Sequence, residues 1–132
     1  MAASPEARVQ VLRLRGGGLA LELIQAGSTG CAEAAVWPGS GASHRSIHSI
    51  RLDGGGRTVR QEHPMESVYY VVSGAGSVVG DSASESAELV EGSMVHVEAG
   101  TGYRFAAGSA GLELFGGPCP PDPALYAAIV KA

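Results

Sequence analysis

The chain has 132 residues, 45% of them hydrophobic, and a formal net charge of −4. That length supports one domain with one core, and the apolar fraction excludes a disordered or fibrous chain. No basic block is present, so nucleic acid and anionic membranes are not expected partners.

In chain order, the apolar residues fall into short runs of strand length, at 9–14, 19–24, 32–37, 47–52, 68–72, 77–80, 87–90, 94–97, 103–106 and 112–115. Turn-forming segments separate them, among them Gly16-Gly17-Gly18, Pro38-Gly39-Ser40-Gly41, Asp53-Gly54-Gly55-Gly56, Gly74-Ala75-Gly76 and Gly116-Gly117-Pro118. Many short strands at this spacing predict an all-β sandwich or barrel. A single helix is expected over 123–131, with Asp122 as its cap and Pro123 at its first position. Residues 82–88 read as a polar hairpin tip. Cys31 and Cys119 lack metal-site spacing and read as reduced, partly buried thiols. No apolar run reaches the roughly 20 residues that span a bilayer, and no apolar leader follows Met1, so a cytoplasmic protein is expected.

The most informative stretch is Arg-Gln-Glu-His-Pro-Met-Glu-Ser-Val-Tyr-Tyr-Val-Val-Ser-Gly at 60–74. Alternate residues of a strand share a face. Gln61, His63, Ser67 and Tyr69 therefore point the same way, into the barrel, while Glu66 points the other way unless a bulge rotates it. A second stretch has Gly92, Glu98, Gly100 and Tyr103 at matching intervals. The two stretches resemble the paired motifs of the cupin superfamily, and the resemblance covers about 47–116. It implies a small single-domain cupin, a double-stranded β-helix or jelly-roll barrel. Within one domain of 1–132, it implies an N-terminal arm at about 1–15, a barrel core at about 19–116 and the C-terminal helix at about 123–131.

In that family three imidazoles and one carboxylate hold a metal. Here Gln61 stands for the first His, Ser67 for the Glu and Tyr103 for the last His, leaving His63. One imidazole with an amide, a hydroxyl and a phenol is a poor divalent-metal site, so no cofactor is expected. If a divalent metal were bound, the resemblance would give it to His63, His48, Tyr103 and Gln61, with Glu66 as a further candidate, as in a dioxygenase with unusual ligands. Without a metal, His63 is the candidate acid/base and Tyr103 the candidate electrophile beside it. Gln61, Tyr69, Ser67, His48 and Phe105 are the candidate substrate-binding residues.

His48 shares a face with Ser46 and Ile50. That face is either the pocket or a surface. His44 reads as a loop residue and His96 as facing away from the core. Arg45 and Arg51 read as exposed, and Trp37 as a core or dimer-seam aromatic. The combination suggests cyclase, isomerase or lyase chemistry on a small molecule, similar to polyketide-cyclase-like cupins of natural-product biosynthesis. A non-catalytic ligand-binding cupin is the remaining alternative. Small cupins often exchange N-terminal strands, which implies a homodimer formed through residues 8–15.

Overall fold

The computed structural model describes residues 9–15 and 17–127. Seven strands form an antiparallel sheet: β1 (Leu19–Ala20), β2 (Gly30–Val36), β3 (Ile47–Leu52), β4 (Ser67–Gly80), β5 (Ala87–Val90), β6 (Met94–Val97) and β7 (Tyr103–Pro118). Their order is β1-β2-β3-β7-β4-β5, and β6 pairs with β4. The architecture is the expected β-barrel of the jelly-roll kind, with the sheet left open rather than closed on itself.

Two long strands organise it. β4 and β7 pair from Ser67↔Pro118 at one end to Gly80↔Tyr103 at the other. The register shifts between Val71 and Ser73 and again between Gly74 and Gly76, where extra residues kink the ladder. Gly74 has φ of +84°, and a Cβ there would lie 2.2 Å from the Gly111 carbonyl oxygen. The bend lets each long strand serve two walls. Ser67–Tyr70 lies between β6 and the end of β7, while the part from Ala75 to Val78 lies between β5 and the start of β7. Residues 57–61 extend the second wall through the bridges Arg57↔Ala106 and Gln61↔Tyr103.

The core lies between the walls. Ile50, Val71, Phe105 and Leu114 are completely buried, and Leu52, Ala34 and Tyr69 are nearly so. Burial of this apolar surface is what drives the sheet to fold on itself.

Several expected boundaries move. The runs at 68–72 and 77–80 form one strand, as do those at 103–106 and 112–115, because Gly74-Ala75-Gly76 and Gly108 to Gly111 bend the chain without reversing it. Gly116-Gly117-Pro118 is likewise the end of β7 and not a turn. The run at 19–24 keeps two strand residues, plus an isolated bridge from Ile24 to Thr58. Residues 9–14 form no strand, and Val9 and Val11 stand 83% exposed. The expected helix at 123–131 is a 3₁₀ turn at Pro123–Tyr126, with residues 128–131 outside the described part. Trp37 is buried and packs on Tyr126 at 4.9 Å between ring centroids, as a core aromatic. Cys31 and Cys119 are free, half-buried thiols.

Candidate functional site

From Gln61 to Tyr70 the side chains follow strand parity. Gln61, His63, Ser67 and Tyr69 are buried, while Glu62, Pro64, Glu66, Val68 and Tyr70 are exposed. The backbone sets this. Gln61 and Tyr103 exchange N–H···O=C bonds of 2.7 and 2.9 Å, and the His63 carbonyl accepts from Gly100 N at 2.7 Å. Tyr103 and Phe105 enter from the opposite strand and are also buried. Two hydroxyls meet here, since Tyr69 Oη lies 2.6 Å from Tyr103 Oη, and Tyr103 Oη is 3.5 Å from Ser67 Oγ. Tyr69, Tyr103 and Phe105 stack edge to face at 4.8–5.9 Å. Their rings pack together on the inner face of the two long strands.

His63 has two partners. Its Nδ1 lies 2.6 Å from Asp122 Oδ2, and its Nε2 lies 3.3 Å from Gln61 Oε1. Asp122 is itself held, because its Oδ1 accepts from Ala124 N at 3.0 Å as the cap of the 3₁₀ turn. The segment leading to that turn is tied back where Cys119 N donates to the Glu66 carbonyl at 3.0 Å. Among the described residues the Gln61 amide nitrogen has no hydrogen-bond partner, although it is fully shielded. A buried donor left unpaired costs about 1–3 kcal/mol, and a site that tolerates the cost is one a ligand can satisfy.

His48 faces inward and is completely buried, so the surface placement is excluded. Its Nε2 contacts Tyr126 Oη at 2.5 Å, and its Nδ1 has no partner among the described residues. Gly117 lies beneath the ring, and a Cβ there would stand 3.1 Å from Nδ1. Burial first, and the nearby His63 second, push the His48 pKa down to about 4. It is therefore neutral near pH 7. Burial also raises the hydroxyl pKa values of Tyr69, Tyr103 and Tyr126. All three phenols remain protonated donors at neutral pH.

Glu66 faces solvent and pairs with His96 at 2.6 Å. No bulge turns it inward, and it takes no part in the buried cluster. His44 and Arg45 are exposed. Arg51 is half-buried, 3.5 Å from Cys31 Sγ.

The donor set does not fit the divalent metal of the family motif. Both ring nitrogens of His63 are already engaged, by Asp122 and by the Gln61 amide, the phenols resist ionisation, and Glu66 points away. Among the described residues no three His, Cys, Asp or Glu side chains gather in a metal-binding group. No step is derived through a metal here.

A groove of about 300 Å³ between β6 and the start of β7 reaches Tyr103, with Val78, Val95, Val97 and Gly102 beside it and Glu85, His96 and Glu98 around it. A larger cavity of about 540 Å³ lies around Arg15, Arg51, Gly74 and Glu113 and touches none of the candidate residues. Of the two, the groove is the one that touches a candidate residue, Tyr103.

Sequence reasoning assembled Gln61, His63, Ser67, Tyr69, Tyr103 and Phe105, and it assigned Asp122 as a cap. It missed that the same carboxylate reaches His63, and it gave no role to Tyr126. Those contacts span 59 and 78 residues of chain and leave no local pattern.

An open jelly-roll barrel with two long bent strands and an inward-facing set on the first of them defines the cupin class. The family model for the cupin domain matches residues 48–114, and the chain belongs to that family. No curated protein sequence matches it. Among solved structures it is similar to the polyketide cyclase RemF from Streptomyces resistomycificus, with a TM-score of 0.67 and 18% identity over 91% of this chain and 94% of that one. It is also similar to an RmlC-like cupin from Shewanella frigidimarina, with a TM-score of 0.63 and 17% identity over 86% and 93%. Salicylate 1,2-dioxygenase from Pseudoaminobacter salicylatoxidans, in complex with gentisate, matches with a TM-score of 0.59 and 24% identity. That match covers 76% of this chain and 27% of the dioxygenase. At these identities the likeness is one of fold.

Proposed function

We propose that this cupin is a small-molecule enzyme of the cyclase, isomerase or lyase type, acting by proton transfer in natural-product metabolism. The observation that carries the reading is the buried His63, bonded to the Asp122 carboxylate at Nδ1 and to the Gln61 amide at Nε2. The fold likeness to a polyketide cyclase across nearly the whole length of both chains supports the same class.

The chemistry follows from the groups present. A carbonyl compound with an acidic C–H gives its proton to the imidazole of His63, and the C–H electron pair becomes an enolate. The Gln61 N–H, which has no other acceptor among the described residues, donates to the developing oxyanion. The Tyr103 hydroxyl, whose contact to Ser67 Oγ is long at 3.5 Å, can exchange that acceptor for the same oxygen while Tyr69 donates to it. His63 then returns its proton to carbon, or to the oxygen that leaves in a dehydration. The surrounding Tyr69, Tyr103 and Phe105 exclude water and strengthen these hydrogen bonds.

The test is turnover of a panel of poly-β-keto compounds by the protein and by His63→Ala, followed as loss of starting material and as deuterium uptake at carbon. Removing the general base lowers the rate by about 10²-fold or more. Unchanged turnover in His63→Ala sinks the mechanism.

A further inference from the structure

Giving His63 the proton leaves open which ring nitrogen receives it. We propose that Asp122 decides this. It is a positioning residue, carried by the C-terminal turn, that holds the neutral imidazole with its hydrogen on Nδ1 and leaves the Nε2 lone pair to accept the substrate proton. The inference rests on the reading of His63 as the proton-transfer group.

The geometry leaves the carboxylate little freedom. Oδ1 is fixed by the backbone N–H of Ala124, and Oδ2 faces His63 Nδ1. Both side chains of the pair are more than nine-tenths buried. An ionised carboxylate only accepts, so the nitrogen 2.6 Å from it must carry a hydrogen. A neutral imidazole has one N–H, which places the basic lone pair on Nε2. That nitrogen faces Gln61, whose amide completes the arrangement. The neutral Nε2 accepts from the Gln61 NH₂; when Nε2 takes up a proton the amide turns its Oε1 to it, the orientation seen at 3.3 Å, and the NH₂ is left without a partner among the described residues. Proton uptake by His63 and presentation of a donor to the new oxyanion are thus coupled through one amide. The same turn also places Tyr126 on His48. Both buried histidines therefore receive a partner from the segment Asp122–Tyr126, and the site is incomplete without it.

The cap makes the test selective. In Asp122→Asn the Ala124 N–H still requires an oxygen at the Oδ1 position, which places the amide NH₂ against His63 Nδ1. A donor there forces the ring hydrogen onto Nε2. In Asp122→Ser the hydroxyl can still cap the turn, yet it is too short to reach His63. Long-range ¹H–¹⁵N correlation spectra of the full chain, with His63 assigned through His63→Gln, read the tautomer directly and need no substrate. The expected result is the Nδ1–H form in the wild type, the Nε2–H form in Asp122→Asn and a mixture in Asp122→Ser. A wild-type Nε2–H form, or a folded Asp122→Asn or Asp122→Ser with the wild-type tautomer, overturns the inference. If Asp122→Asn does not fold, Asp122→Ser decides. Failure of the catalytic reading would appear separately, as unchanged turnover in His63→Ala with the tautomers as predicted.

Discussion

His48→Gln tests whether a neutral histidine is locked inside this fold. The ring is completely buried, and its pKa falls from 6.5 to about 4, with burial as the first cause and His63 as the second. Between those two values the unfolded chain binds a proton at this position and the folded chain does not. Stability therefore rises with pH through this window, and acidification from about pH 6.5 to about pH 4 removes it. At 1.36 kcal/mol per pH unit, the histidine's full share is about 3 kcal/mol. Below about pH 4 both states carry the proton and the loss stops. Glutamine cannot titrate and retains a polar group for Tyr126. The variant pays for its altered packing at every pH, but its stability is flatter across the window. Urea unfolding of both proteins at about pH 7 and about pH 4.5, compared as a double difference, isolates the term, because the other histidines and the carboxylates titrate in both. A variant that loses as much stability on acidification as the wild type would refute the buried neutral His48.

Two further substitutions probe the interior. Tyr69→Phe removes one hydroxyl of the 2.6 Å pair and leaves Tyr103 with the long contact to Ser67; a loss of about 1–2 kcal/mol in urea unfolding is expected. Adding Tyr103→Phe should cost less than the sum of the single changes, and strict additivity would show that the two hydroxyls do not interact. Phe105→Ala opens a cavity under Tyr69 and Tyr103, whose rings stand 4.8 and 5.7 Å from it. The expected loss is about 3–5 kcal/mol, and a loss under about 1 kcal/mol would mean that the interior is hollow.

Periodicity made one part of this site legible and could not reach another. From Gln61 to Tyr70 a period of two decides which side chains face inward, and the sheet obeys it closely enough to point Glu66 outward onto His96. The same rule grouped Ser46, His48 and Ile50, all of which are buried. It could not say which side of that strand was the interior, because strand parity fixes only relative directions. Strand lengths were misread for a related reason. A glycine that bends a strand and one that reverses it look alike in sequence, and only the close approach of Gly74 to Gly111 distinguishes them.

The contacts that escaped prediction share one origin. Asp122 and Tyr126 sit on a turn too short to show periodicity, and they find their histidines 59 and 78 residues away in the chain. Locally, Asp122 satisfies a helix-cap rule, and that rule is correct, since Oδ1 does cap the turn. A carboxylate has two oxygens, and the cap uses one. The second is then aimed by the turn's own geometry, and the Cys119–Glu66 backbone bond fixes where that aim falls. The orientation of His63 therefore depends on the C-terminal turn. A variant that loosens the turn should disorder the imidazole before it disturbs the barrel, because the turn contributes none of the sheet's hydrogen-bonded ladder.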